Sequence, residues 1–152
     1  MIDIAHIHPM LVHFPLALLP VALVFQSIAL ARGGGLFDRQ CLSTTGLAIL
    51  VVAAAGAGVA AIFGDIALDK AVDNGFLLSQ LESHEELGKS SALLLVALAA
   101  VDGWLYWRQS VSRLASWVML ATGTAVLVLL LVTAGFGGQL VYDLGVNVTH
   151  VR

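Results

Sequence analysis

The chain has 152 residues, enough for one domain. It is 59% hydrophobic and only 11% charged, where soluble domains carry about 25% charged residues; a mean hydropathy of +0.95 asks for more apolar burial than one soluble core offers. The net charge of -3, with no Lys/Arg stripe, excludes nucleic-acid binding, and the single cysteine, Cys41, excludes an internal disulfide, an iron–sulfur site within one chain and covalent CxxCH haem attachment.

Four apolar stretches run over about 9–31, 42–63, 87–107 and 114–136. Each is close to the roughly 20 helical residues that cross a bilayer core of about 30 Å. None alternates with period two, so helices are expected and barrel strands are not. The sequence therefore predicts an all-α integral membrane four-helix bundle, one domain over residues 1–152. The first eight residues contain Asp3 and no Lys or Arg. A cleavable signal peptide is thus not expected, and the first span should be retained.

In the first span, HPMLVHFPLALLP, Pro9 suits the first helical turn. Pro15 and Pro20 each remove an intrahelical bond, to Leu11 and Leu16, which predicts a kinked or widened helix. His8 precedes a proline and is expected outside helical geometry, in an entry turn. His13 lies one turn inside. Five residues separate the two, which puts them about 140° off a common face. The second span carries VVAAAGAGVAA. Ala54 with Gly58 and Gly56 with Ala60 permit close helix packing, or a groove for a flat ligand. Gly64 is expected to cap this helix. Asp65, Asp69 and Asp73 then recur every four residues in the acidic 64–86 connection, as one face of a short interfacial helix.

The third span opens on His84-Glu-Glu-Leu-Gly88. Near its far end Asp102 is placed to pair with Arg108, with a proton-relay role as the alternative. In the fourth span Gly137-Gly138 are expected to stop the helix. The following LVYDLGVNV reads as extended, either a lid over the bundle's mouth or an interfacial tail. As a lid it would bring Tyr142 and Asp143 within hydrogen-bonding reach of a histidine or a ligand carboxylate.

Arg32, Arg39, Arg108 and Arg113 occupy the two short connections. The positive-inside rule puts these in the cytoplasm, and Trp104, Tyr106, Trp107 and Trp117 gather there as an interfacial belt. Both termini and all five histidines, His6, His8, His13, His84 and His150, then fall outside. Ionisable groups at the edge of a span are costly, rare and often functional. His13 and His84 are expected to face each other across a cofactor, with His8 as support or alternative ligand. Gly88 would leave room for a flat macrocycle. Zinc prefers four Cys/His-rich ligands, and no such spacing is present. Haem needs one or two axial ligands from different helices and an apolar slot. The expectation is a bis-histidine haem b protein with His13 and His84 as metal ligands. It would exchange electrons with a quinone or a periplasmic c-type carrier and could form a homo-oligomer. A transport module for a metal ion or proton and a non-catalytic assembly subunit stay open beside it. No Ser/His/Asp or paired-carboxylate arrangement supports hydrolysis.

HPMLVHFPLALLP (8–20), the small-rich second span ending GD (64–65), SHEELG (83–88) and GGQLVYDLGVNV (137–148) together resemble a family of small bacterial membrane proteins of unknown function with an HPxxVHFP signature. The resemblance covers nearly the whole chain and implies a four-helix domain of the bacterial inner membrane. Family members also occur fused to c-type cytochrome or Rieske-like modules, which implies electron transfer in or near the membrane. His8, His13 and His84 match the family's histidine positions. His6 and His150 are peculiar to this sequence, and no redox module is fused within it.

Overall fold

The computed structural model describes residues 7–109, 112–146 and 148; His6 and His150 lie outside these. A short helix α1 (Ile7–Leu11) leads through Val12 into α2 (His13–Ala31). Three long helices follow: α3 (Cys41–Asp73), α4 (Leu78–Arg108) and α5 (Arg113–Tyr142). Counting α1 and α2 as one, four helices are long and apolar enough to cross a membrane, and the described residues contain no strand. The break at Val12 has a local cause. Pro15 has no N–H, so nothing in the helix returns to the Leu11 carbonyl.

Three boundaries differ from the sequence expectation. α3 runs straight through Gly64 and carries Asp65, Asp69 and Asp73 on its own final turns. α4 begins nine residues before the expected 87, where Gln80 Oε1 accepts from Leu77 N at 3.2 Å. α5 passes through Gly137 and Gly138 to Tyr142, so the tail read as extended starts as helix. In each case packing against a neighbouring helix outweighs the local cost of a glycine or a charge. His8 is likewise inside α1, where Pro9 sits in the opening turn and needs no N–H partner.

The helices pack in a ring, α2 on α3, α3 on α4, α4 on α5, with α5 closing most sparsely on α2. Leu19, Leu23, Leu50, Leu95 and Leu98 fill the centre, spaced by Ala53, Ala57 and Ala99. Large apolar side chains such as Val24, Ile62, Leu93, Val128 and Leu131 point outwards and stay exposed. A soluble bundle would hide them; here their solvent is lipid.

The two hairpins repeat each other. Gln26 and Asp102 stand 76 residues apart, as do His8 and His84, and Leu19 and Leu95. Between α3 and α5 the offset is 73: Ser43 with Ser116, Ala53 with Val126, Ala57 with Leu130, Ala60 with Thr133, all of them buried. The three-residue difference falls at the longer α2–α3 connection: residues 32–40 there against 109–112 between α4 and α5, where each helix runs one residue further than its counterpart. Exchange of α2 with α4 and of α3 with α5 is the relation of a parallel repeat about the bundle axis.

One polar contact crosses that axis. Gln26 Nε2 donates to Asp102 Oδ2 at 3.1 Å, with both side chains buried and Asp102 Oδ1 left without a partner. Asp102 therefore does not pair with Arg108, whose guanidinium lies over the Trp104 ring at 5.0 Å. Gln26→Leu is expected to strip the carboxyl of its donor and destabilise the bundle by about 1–3 kcal/mol. Gln26→Leu with Asp102→Leu should recover most of this. Thermal unfolding in detergent of the single and double variants measures both.

Candidate functional site

At the end of the bundle away from the arginine-bearing connections, His8 of α1 and His84 of α4 meet between the hairpins. Their ring centroids are 6.2 Å apart and their planes cross at 78°. Each ring is held the same way. His8 Nδ1 lies 2.8 Å from the carbonyl oxygen of Ala60 on α3, and His84 Nδ1 lies 3.1 Å from that of Thr133 on α5. A carbonyl only accepts, so Nδ1 carries the hydrogen and Nε2 keeps its lone pair. Neither Nε2 has a hydrogen bond among the described residues.

The glycines explain how an imidazole reaches a carbonyl that already belongs to a helix. The side chain at position i+4 normally covers the carbonyl of residue i. Here the i+4 residues are Gly64 and Gly137. A Cβ on Gly64 would stand 3.1 Å from His8 Cε1, and one on Gly137 would stand 2.9 Å from His84 Cε1. The rings occupy the space where side chains would be. Gly64 is thus a seat for His8, not a helix cap.

Around the pair is a cavity of about 550 Å³. Leu16, Ala57, Ala92 and Leu130 line its inner part. Its other end is closed by an apolar cap of Ala71, Leu81 and Val146. The cap forms because Gly145, at φ 72°, turns the chain back, so that Val146 N donates to Leu140 O at 2.9 Å. On the α3–α4 flank Lys89 Nζ bridges Asp65 Oδ1 at 3.0 Å and Glu85 Oε1 at 2.6 Å. On the α5 side the Ser91 and Thr133 hydroxyls meet at 3.1 Å.

The histidine opposite His84 is therefore His8 and not His13. His13 is exposed at the cavity's rim, with Nδ1 2.6 Å from the Pro9 carbonyl one turn back. Gly88 does line the cavity, with Thr133 Cγ2 3.9 Å from where its Cβ would be. Tyr142 also borders it but is 88% exposed and has no hydrogen bond to a histidine among the described residues. Sequence reasoning missed Gly64, Gly137 and the two carbonyls. Their signal was the paired spacing, a small residue and then Gly four later, in both even-numbered spans.

Gly64→Ala and Gly137→Ala should each push one imidazole off its carbonyl and cost about 1–3 kcal/mol. The lost Nδ1 hydrogen bond is readable in histidine 15N shifts. Gly138→Ala, with open space around its Cβ, should leave stability within about 0.5 kcal/mol and the shifts unchanged.

No curated protein and no solved structure matches the chain. A family model does, over residues 5–150, a span that takes in all four helices and both histidines of the pair. The chain belongs to the predicted membrane protein family DUF2231.

Proposed function

We propose that this chain is a membrane-embedded haem b protein for electron transfer, in which His8 and His84 would hold the haem. The spacing of the imidazoles carries the reading. A metal held between two imidazole nitrogens, each about 2 Å away, sets the ring centroids about 6 Å apart. The observed separation is 6.2 Å. Both rings are already held as the neutral Nδ1–H form whose Nε2 can ligate, and the backbone carbonyl fixes each ring's orientation as it does in other metal sites. The cavity of about 550 Å³ lies within the range of about 300–1,000 Å³ typical of organic ligand sites. Among the described residues no three His, Cys, Asp or Glu side chains converge, which favours a ligand that needs two protein donors over a metal cage.

A bound haem would supply a one-electron couple. The chain's own residues do the rest. His8 and His84 would hold the group from both sides and leave no open position for a substrate, so electron transfer fits better than turnover. The Ala71–Leu81–Val146 cap and the apolar inner lining would shield the group from water on those sides. By the positive-inside rule the site lies at the periplasmic edge of the bacterial inner membrane, with both termini outside. A quinone in the bilayer or a periplasmic c-type cytochrome are the redox partners this position suits.

The test is an optical spectrum of the purified chain after haem supplementation, oxidised and then reduced. A low-spin b-type spectrum is expected. His8→Ala and His84→Ala should each abolish it, while His13→Ala keeps its shape at saturating haem. A wild-type chain with no Soret band would overturn the reading.

A further inference from the structure

The hairpin repeat makes the two flanks of the histidine pair equivalent in position, and the side chains there make them unequal. On the α3–α4 flank Lys89 faces Asp65, with Glu85 one turn back. Offset by 76 and 73 residues, the corresponding positions on the α2–α5 flank are His13, Gly138 and Pro9. The cation of Lys89 is thus matched by a histidine, and both carboxylates are replaced by residues without charge. The cap end of the cavity is apolar.

A ligand centred between His8 and His84 that carries carboxylates has three directions in which to turn them. Towards the cap they would meet Ala71, Leu81 and Val146 with no donor. Towards α3–α4 they would meet two carboxylates that already engage the one ammonium. Towards α2–α5 they meet His13, whose Nδ1 is committed to the Pro9 carbonyl and whose Nε2 has no hydrogen bond among the described residues. Gly138 opposite it has nothing within 4 Å of its Cβ position, so that flank is open. His13 is five residues past His8, beyond the break at Val12, and both line the same cavity. As an imidazolium it donates from Nε2 as well as Nδ1.

We propose that His13 binds the carboxylate edge of the ligand on the α2–α5 flank and so sets its orientation in the site. This rests on the haem reading above, and the experiment separates the two. The full chain in detergent is titrated with ferric protoporphyrin IX and, in parallel, with its dimethyl ester, which keeps the iron and the ring but has no carboxylate. The wild type should prefer the acid. His13→Ala should weaken the acid about tenfold, the loss of one charge-assisted hydrogen bond, and leave the ester unchanged. His13→Lys should restore the preference. A preference for the acid that survives in His13→Ala, or that vanishes in Lys89→Met instead, overturns the role of His13. Equal binding of acid and ester by the wild type overturns it too. Binding that is indifferent to both His8→Ala and His84→Ala sinks the haem reading, and this inference with it.

Discussion

The arrangement depends on a backbone carbonyl that accepts two hydrogen bonds. In α3 the Ala60 carbonyl, and in α5 the Thr133 carbonyl, sits under a residue with no side chain. That vacancy lets an imidazole from the other half of each hairpin reach the second lone pair. The contact does two things at once. It fixes the tautomer, so that Nε2 rather than Nδ1 is available, and it fixes the ring's direction without using another side chain. In an apolar setting an unmade Nδ1–H bond would cost about 1–3 kcal/mol, so the rings have a strong reason to stay where they are. Glycine at 64 and 137 is tolerated within long helices because the tertiary packing of each hairpin outweighs a propensity cost of about 1 kcal/mol per residue.

The repeat turns one such contact into a site. Neither hairpin has two imidazoles facing each other; the pair exists only across the bundle axis. The same axis carries Gln26 and Asp102 at the other end, 18 residues along each helix from the histidines, or about 27 Å at 1.5 Å per residue. That is close to the thickness of the hydrocarbon core, about 30 Å. The bundle thus has a polar pair at each end of its apolar length, and the core cluster between them is mostly leucine and alanine. α3, at 33 residues, is about 50 Å long and overshoots the bilayer core, which is why its acidic turns and the apolar cap stand beyond the histidines.

The four spans were legible because length and hydropathy are properties of the sequence alone. The proline break was legible because a missing N–H is local. Helix ends were not. Gly64 and Gly137 look like stops until the imidazoles that replace their side chains are known, and those come from residues 56 and 53 positions away. Asp102 looked like a partner for Arg108 because only neighbours along the chain can be paired by reading; its real partner is 76 residues distant. His13 was preferred over His8 by the rule that a residue before proline leaves the helix. That rule is a bias and not a bar, and His8 stays helical before Pro9. Comparing the second span with the fourth at an offset of 73 would have shown both glycines, and the small residue four positions before each.

Order of synthesis gives the divided site a further property. His8 is made before α3 and acquires its carbonyl when that helix is complete. His84 follows, but the carbonyl that orients it belongs to α5, the last helix. Until that helix has entered the bilayer and packed, only one imidazole is set and nothing can be gripped from two sides. A two-sided grip at the site therefore requires the completed bundle, and a ligand held there would tie its first helix to its last.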